Sequence, residues 1–201
     1  MFSFLKPLIF SLDPEVAHDL AIKSLKTNLI PENFFSLIEK LSNTSKYLIY
    51  RVDEESFSMK HWNKTKEIFE NKGGKVILNS RLKDKTSDHE CLHLTSSDLI
   101  ETGKLSSHII GASCHNKEEI LKAIKLKVDY IFISPVKNIE NKNPALGWEN
   151  FSKLAELFPG PSFALGGLTQ KDFKIAKKNG AQGIAGISEF FSPQNGINQK
   201  K

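Results

Sequence analysis

The sequence predicts an α/β fold, a (β/α)8 TIM barrel preceded by a helical N-terminal segment, with a first strand that the sequence leaves in doubt. Short apolar runs recur along residues 47–187 without alternating with polar residues, which is typical of parallel strands buried on both faces. Helix-start and helix-end signals lie between most of these runs, as the crossovers of a parallel sheet require. A doubly wound open sheet would show the same alternation and is the alternative.

Seven of the runs are dense enough in Ile, Leu and Val to be strands. No equally clear run precedes them: either Pro7–Ser11 supplies the first strand, or the helical N-terminal segment fills the gap in the barrel. The seven predicted strands are Tyr47–Tyr50, Val76–Leu78, Cys91–Leu94, His108–Ala112, Tyr130–Ile133, Phe163–Leu165 and Gly183–Ile187.

Helices are predicted between these strands from capping residues and from apolar residues at helical spacing. One interval, Arg81–Glu90, is almost wholly polar, so no full helix is expected there. The predicted helices run from Ser58 to Gly73-Gly74, from an Asn116 and Glu119 capping box, over Trp148–Phe158, and from Thr169 to Asn179-Gly180.

Three segments follow from this pattern. Residues 1–33 form the helical N-terminal segment, in which Asp13 caps a helix that begins at Pro14. Residues 34–192 form the barrel, and residues 193–201 form a polar tail that is expected to be disordered.

Composition narrows the function classes. The 28 Lys and Arg residues exceed the 23 Asp and Glu residues by only five, spread along the chain, so nucleic-acid binding is weakly supported and an anionic small ligand or an acidic membrane surface fits as well. Two cysteines exclude a disulfide scaffold and a CxxC zinc site and indicate a reduced, cytoplasmic protein. No apolar run approaches the ~18 residues that span a bilayer, and the N-terminus lacks signal-peptide features.

Backbone N–H groups at two glycine-containing turns are the first candidates for a binding site. In TIM barrels the chemistry lies at the carboxyl ends of the strands, often with a phosphate near the last two. Gly166 and Gly167 follow one strand and precede a helix, and the last strand ends at Gly186, Ile187 and Ser188. These amides can approach one anion closely, and two tight turns without a ligand are the alternative.

Polar side chains at other strand ends are further candidates. Arg51 is placed to bind an anion or to pair with a carboxylate at the rim. Asn79 is placed to bond a heterocycle or to cap a loop, and Ser113 to bind a phosphate oxygen. His115 is placed to cap the next helix or to orient a ligand. Lys142, in a long polar loop, is placed to bind phosphate, with an ordinary surface lysine as the alternative.

Three residues with reactive side chains are expected to be structural. His93 lies inside an apolar strand and is interpreted as a core histidine with satisfied hydrogen bonds. Cys91 and Cys114 are interpreted as packed thiols, and no metal-ligand cluster is evident in the sequence.

Six motifs, in this order, resemble the thiamine phosphate synthase and thiazole tautomerase (TenI-type) family, most closely its branch found as a C-terminal domain behind a Nudix hydrolase. They are HLTSSDL (93–99), GASCH (111–115), ISPV (133–136), LGWENF (146–151), ALGGL (164–168) and GAQGIAGI (180–187). The resemblance runs from about residue 34 to 190. It implies a (β/α)8 barrel and a synthase that joins hydroxymethylpyrimidine diphosphate to thiazole phosphate with Mg²⁺, releasing pyrophosphate.

The resemblance also implies roles for single residues. Arg51 and Lys142 would be catalytic by holding the leaving pyrophosphate, and Asn79 and Ser113 match the other positions that bind the pyrimidine diphosphate. The backbone positions that match the grip on the thiazole phosphate are Gly167, Ile187 and Ser188.

The metal site and the catalytic signatures depart from the family's pattern. The synthase's acidic metal ligands fall on Ser80 and Ser97, with Asp98 one residue further on, and a hydroxyl replaces a carboxylate poorly on Mg²⁺. We therefore expect Mg²⁺ binding to be weakened, with Asp98 as the remaining candidate ligand. The tautomerase's histidine falls on Pro135. Other family residues are replaced at Ile49, Asp53, Ile139 and Asn141.

The N-terminus has a different resemblance. Residues 4–26, FLKPLIFSLDPEVAHDLAIKSLK, are similar to the membrane-associating start of quinone-linked dihydroorotate dehydrogenases, without the flavin or orotate chemistry of that enzyme. The leading expectation is a thiamine phosphate synthase-like protein that joins or binds phosphorylated heterocycles. The alternatives are a catalytically degenerate phosphate- or partner-binding module and a peripheral membrane protein that uses residues 1–30. Catalytic activity and oligomeric state, a homo-oligomer included, stay open.

Overall fold

The computed structural model describes residues 39, 42–43, 47–52, 54–87, 89–103, 109–139 and 144–185. In these ranges the chain forms one parallel sheet of seven strands in which each strand pairs with its neighbour in sequence. The strands are β1 (Tyr47–Tyr50), β2 (Lys75–Asn79), β3 (Cys91–Leu94), β4 (Ile109–Cys114), β5 (Tyr130–Ile133), β6 (Ser162–Leu165) and β7 (Gly183–Ala185).

The strand order decides between the two predicted architectures. A doubly wound sheet reverses its order at a switch point. Here the order is sequential from β1 to β7, as in a TIM barrel, so the predicted fold class is confirmed and the open-sheet alternative is wrong. All seven predicted strands are present, with ends that differ by a few residues at most. Pro7–Ser11, the helical segment 1–33 and the tail 193–201 lie outside the described residues.

The intervals between strands are helical. The segment predicted to lack a full helix contains a 3-10 helix, Ser80–Lys85, and the prediction is confirmed. A short helix after β3 was not predicted. The α-helices are α1 (Met59–Glu70), α2 (Ser96–Glu101), α3 (Lys117–Leu126), α4 (Gly147–Ala155) and α5 (Phe173–Lys178), and the other 3-10 helices are Glu54–Ser56 and Gln170–Asp172.

Side-chain caps fix the starts of two of the four predicted helices. The Asn116 side chain accepts a hydrogen bond from the Glu119 N–H at 2.9 Å, as a capping residue does. Thr169 and Asp172 form a reciprocal capping box at the 3-10 turn that leads into α5. No helix among the described residues is long and apolar enough to cross a membrane.

The sheet is buried on both faces, which explains its continuous apolar strands. The larger hydrophobic cluster joins strand residues such as Leu48 to helix residues such as Trp62 and Phe151, so it lies between the sheet and the helices. The second cluster contains strand residues alone and forms the inner face of the curved sheet. Its members are Tyr47, Ile49, Ile77, Cys91, Tyr130, Phe132, Phe163 and Ala185.

Aromatic rings fill this inner face. The Tyr130 and Phe132 rings meet edge to face at 5.4 Å, and the Phe163 ring lies 5.7 Å from that of Phe132. Gly111 makes room for them, because a Cβ atom at that position would lie 2.0 Å from the Tyr130 ring. The packed interior supports the polar residues at the carboxyl ends of the strands.

Candidate functional site

Three of the predicted ligand residues lie together at the carboxyl edge of the inner face. Asn79 follows Ile77 by two residues in β2 and therefore shares its inner face. Ser113 pairs in register with an inner-face residue of β5. Arg51 follows β1 directly, and its charge acts on the buried His93 ring. The structure therefore brings Arg51, Asn79 and Ser113, three of the residues that sequence analysis selected, to one end of the barrel, which we call the mouth.

His93 is a buried residue that holds Ser113. Its Nε2 atom lies 3.0 Å from the Ser113 hydroxyl, and its Nδ1 atom lies 3.2 Å from the Tyr130 hydroxyl. Burial, with the positive charge of Arg51, lowers the pKa of His93 to about 3, so the ring is neutral at pH 7. A neutral imidazole donates from one nitrogen and accepts at the other, so it satisfies both hydroxyls. The expectation of a core histidine is confirmed.

Asn79 has one of its two predicted roles, that of a loop cap. Its side-chain oxygen accepts a hydrogen bond from the Arg81 N–H at 3.2 Å and so caps the 3-10 helix Ser80–Lys85. Among the described residues, its NH₂ group makes no hydrogen bond. The amide is buried and fixed by this cap, with the NH₂ group left as a donor.

A cluster of hydroxyl, carboxylate and ammonium groups joins the ends of β2 and β3. We call Ser80, Lys83, Thr95 and Asp98 the Asp98 cluster. The Ser80 and Thr95 hydroxyls both donate to Asp98 Oδ2, at 2.5 and 2.6 Å, and the Lys83 ammonium lies 3.5 Å from Oδ1. Burial works to raise the pKa of Asp98, but the hydrogen bonds and the Lys83 charge outweigh it and hold the pKa below its usual value. The carboxylate is therefore ionised and already partnered.

The Asp98 cluster does not fit Mg²⁺. Magnesium prefers carboxylates and water in an octahedral shell. Here one carboxylate is available, one of its oxygens accepts two hydroxyl hydrogens, and an ammonium faces the other. The described residues contain no group of three or more His, Cys, Asp or Glu side chains that could hold a metal ion. Asp98, and not the exposed Ser97, is the residue beside Ser80.

His115 is held by Ser134 and by the Glu119 carboxylate. Its Nδ1 atom lies 2.6 Å from the Ser134 carbonyl oxygen, which can only accept, so Nδ1 carries a hydrogen. Its backbone N–H donates to Glu119 at 2.6 Å. The Glu119 carboxylate also accepts from the Ser96 hydroxyl at 2.8 Å and thereby ties α2 to α3. His115 thus helps to cap α3 through its backbone, as one of its two predicted roles required.

The glycine turn after β6 packs closely against the loop that follows β5. Gly166 and Gly167 have φ angles of 105° and 66°, which L side chains rarely adopt. A Cβ atom on Gly166 would lie 2.7 Å from Pro135 Cα, and one on Gly167 would lie 3.0 Å from Lys137 Cβ. Within the described ranges the N–H of Gly167 makes no hydrogen bond. The tight-turn alternative therefore explains the close packing and leaves a donor for an anion.

The helix start after this turn is occupied by the chain's own carboxylate. Asp172 accepts hydrogen bonds from the Thr169 N–H at 2.9 Å and from the Thr169 hydroxyl at 3.3 Å. Lys137 forms an ion pair with Asp172 at 2.7 Å. The favourable interaction of this helix end with an anion, expected from the sequence, is thus used internally.

Hydrogen bonds close the base of the loop in which Lys142 was predicted to bind phosphate. The N–H groups of Leu146 and Gly147 donate to the carbonyls of Pro135 and Val136 at 2.9 and 3.0 Å. Residues 135–136 and 146–147 are therefore held side by side at the base of the loop. The predicted site residues outside the described part of the chain are Lys142, Gly186, Ile187 and Ser188.

Sequence analysis missed Lys83, Thr95, Lys137, Asp172 and Tyr130 as contributors to this region. Thr95 and Asp98 have the spacing of a helix cap, which could have revealed α2. Lys83 and Lys137 carry no local signal in a chain with 28 Lys and Arg residues, because only the fold brings each of them to a carboxylate.

Both cysteines are packed thiols, as expected. Cys91 and Cys114 are buried, and burial raises their pKa values to about 11 and about 12. A thiol that stays protonated at pH 7 is a weak nucleophile.

Residues 25–190 match the family model described as thiamine monophosphate synthase. The chain belongs to this family. The sequence resemblance, predicted for about residues 34–190, is therefore confirmed over its whole extent. Two curated relatives are thiamine-phosphate synthases. The protein of Fusobacterium nucleatum is 31% identical over 176 residues, which cover 82% of this chain and 84% of that one. The protein of Prochlorococcus marinus subsp. pastoris is 31% identical over 177 residues, with 82% and 50% covered.

The family match does not extend over the full length of every relative. The chain spans about half the length of several curated relatives that it matches, 50% of the Prochlorococcus protein and 59% of a thiamine-phosphate synthase of Syntrophomonas wolfei. The thiamine phosphate pyrophosphorylase of Pyrococcus furiosus superposes with a TM-score of 0.64 at 21% identity, covering 86% of this chain and 88% of that one. A second, from Bacteroides thetaiotaomicron, gives 0.60 at 15% identity, with 90% and 89% covered. These likenesses support the barrel fold.

Proposed function

We propose that this chain is a thiamine phosphate synthase-type protein of thiamine biosynthesis that binds a phosphorylated pyrimidine and a phosphorylated thiazole. The observation that supports it most is the grouping of Arg51, Asn79 and Ser113 at one mouth, with Ser113 fixed by His93. These are the strand-end positions that match the family's grip on the pyrimidine diphosphate. Membership of the family supplies the substrate class.

The proposed reaction exchanges one bond for another at the pyrimidine methylene. The bond from the methylene carbon to the diphosphate oxygen breaks, and pyrophosphate leaves with the electron pair. The thiazole nitrogen then forms a bond to the resulting cation. Arg51 and Lys142 would bind the charge that develops on the leaving pyrophosphate, and Ser113 would orient it.

The Asp98 cluster supports a second candidate, a module that binds phosphorylated ligands without turnover. The family's reaction uses Mg²⁺, and a divalent metal stabilises developing charge strongly. Ser80 stands where the resemblance places a carboxylate, and Asp98 is already hydrogen-bonded. The chain would then still bind the phosphate groups of its ligands but would not catalyse the reaction.

Release of pyrophosphate from the pyrimidine diphosphate, measured with both substrates present, distinguishes the two candidates. For the synthase we expect turnover by the wild type, a loss of about 100-fold in Lys142→Ala, and a smaller loss in Ser113→Ala, because charged contacts to a leaving group are worth more than neutral ones. Lys153→Ala is the matched control. Among the residues that the structure describes, Lys153 pairs with the exposed Glu149 on α4 alone, at 2.7 Å, so its loss should leave the rate unchanged.

A thermal-shift measurement with each phosphorylated substrate completes the test. A raised melting temperature without turnover would support the binding module, because a ligand that binds only the folded state stabilises it. Neither turnover nor a shift with either substrate would contradict both candidates. Cytoplasmic location, self-association and membrane contact through residues 1–30 stay predictions.

A further inference from the structure

The charges of the Asp98 cluster balance without a metal ion. Two carboxylates with a divalent cation sum to zero. In this chain the neutral Ser80 stands at one of the two positions, and Asp98, not Ser97, lies beside it. The single negative charge of Asp98 faces the single positive charge of Lys83 at 3.5 Å. The cluster is neutral in both arrangements, so an anionic ligand would meet the same net charge.

The hydrogen bonds of the cluster also oppose metal binding. Asp98 Oδ2 accepts the hydroxyl hydrogens of Ser80 and Thr95, and Ser80 Oγ in turn accepts from the Thr95 N–H at 2.9 Å. A cation at this oxygen would have to displace two donors and leave them without partners, which is unfavourable in a partly buried site.

Lys83 is positioned to contact a ligand as well as Asp98. Its side chain is 46% exposed, whereas that of Asp98 is 19% exposed. An ammonium group has three donors, and only one direction is used by Asp98. Lysine binds phosphate groups as a point charge. Asn79, one of the residues that match the diphosphate grip, directly precedes Ser80 in the chain.

We propose that the Lys83 ammonium replaces the divalent cation in this protein, so that the diphosphate group of the ligand binds at the Asp98 cluster without metal. This inference rests on the proposed function, since it concerns the same ligand. It adds Lys83 as a ligand-binding residue and removes Mg²⁺ from the binding step.

Calorimetric titration with inorganic pyrophosphate, in EDTA and in excess Mg²⁺, tests the inference. We expect the wild type to bind with dissociation constants that agree within about threefold in the two buffers. Lys83→Gln should weaken binding in EDTA by about tenfold or more, because it removes a charged contact to phosphate. Lys83→Arg should retain most of the affinity.

Lys75→Gln is the matched control. Lys75 pairs with Glu90 at 3.4 Å and is 49% exposed, close to the 3.5 Å and 46% of Lys83, but it lies at the amino end of β2, away from the mouth. Its loss should leave pyrophosphate affinity unchanged. An equal loss in both variants would mean that net charge alone is measured, and would overturn the inference.

Ser80→Asp supplies the converse test. A second carboxylate leaves the cluster with a net negative charge, so binding should weaken in EDTA and recover in Mg²⁺. Wild-type binding that needs Mg²⁺, or full affinity in Lys83→Gln, would overturn the inference and leave the proposed function intact. No binding by the wild type in either buffer would overturn both.

Discussion

The Lys137 ammonium contacts both carboxylate oxygens of Asp172, at 2.7 and 2.8 Å. This ion pair joins the loop after β5 to the 3-10 turn that begins the crossover after β6. Because Asp172 also caps that turn through Thr169, one carboxylate fixes the loop and the helix start together. Gly167 lies beside the loop that this pair holds, so the pair sets the shape of the candidate anion site.

Replacing Asp172 with Asn tests that pair. The variant loses the ammonium partner and part of the cap, so we expect the free energy of unfolding to fall by about 1–2 kcal/mol, mostly from the cap, since Lys137 is half exposed. Urea denaturation at pH 7 measures the loss. Glu149→Gln removes an exposed ion pair of equal length, 2.7 Å, and is expected to change little. Equal losses in both variants would contradict the role assigned to Asp172.

The ion pair between Lys137 and Asp172 makes the free energy of unfolding depend on pH in the acid range. Burial works to raise the pKa of Asp172, but its hydrogen bonds and the Lys137 charge outweigh it, so the pKa lies below its usual value. The stabilisation is therefore fully present above about pH 4 and is lost as the pH falls through the folded-state pKa. We expect the stability difference between wild type and Asp172→Asn to shrink from about pH 4 to about pH 2.

His93 should make the free energy of unfolding depend on pH in a higher range than Asp172 does, between about pH 6.5 and about pH 3. The pKa of His93 is about 3 in the folded protein, whereas an ordinary histidine has a pKa of about 6.5. Between these two pH values the unfolded chain therefore binds a proton that the folded chain does not. Stability should fall with pH below about 6.5, by ~1.4 kcal/mol per pH unit, down to about pH 3. Between about pH 7 and pH 5 the loss should be about 2 kcal/mol.

His93→Gln isolates this effect, because glutamine can still bond both hydroxyls and does not titrate. Urea denaturation of both proteins at the two pH values gives the difference. An equal loss in wild type and variant would mean that the His93 ring accepts a proton in the folded state.

The strands could be predicted because burial on both faces requires an uninterrupted run of apolar residues, which is visible in the sequence. In β1, Leu48 and Tyr50 face the helices while Tyr47 and Ile49 face the interior, so no polar residue interrupts the run. Helix α2 shows no apolar pattern of this kind, because Leu99 is its single buried residue. Periodicity needs several apolar positions, and six residues do not provide them.

The site was predictable where it depends on position along a strand and not where it depends on local helix geometry. Strand alternation and the strand end placed Asn79 and Ser113 correctly. Whether Ser97 or Asp98 faces Ser80 depends on how the first turn of α2 is oriented, which the Thr95 cap decides. The ion pair of Lys137 joins residues far apart in sequence, and only the fold brings them together.

Gly111→Ala tests how tightly the barrel interior is packed. The new methyl group would lie 2.0 Å from Tyr130 Cζ, so the ring must move and its hydrogen bond to His93 must weaken. We expect a loss of about 2–3 kcal/mol by urea denaturation, as for overpacked cores. Gly103→Ala, with no atom within 4 Å of the new methyl group, should be nearly neutral.

A double variant separates crowding from a general weakness of β4. Replacing Tyr130 with Leu removes the ring, so Gly111→Ala should cost less in that background than in the wild type, because neighbouring substitutions are not additive. Additive losses would show that the Tyr130 ring is not the obstacle.

Gly166→Ala tests the close approach of the β5 loop to the glycine turn. At φ 105° an alanine is strained, and its Cβ atom would also lie 2.7 Å from Pro135 Cα, a backbone atom that cannot turn aside. Gly73→Ala carries backbone strain at φ 69° with no atom within 4 Å. We expect a loss of about 1 kcal/mol for Gly73→Ala and about 3 kcal/mol for Gly166→Ala. The difference between them measures the contact with Pro135. Affinity for thiazole phosphate should fall in Gly166→Ala alone, because the displaced turn adjoins the proposed anion site; unchanged affinity would place that phosphate elsewhere.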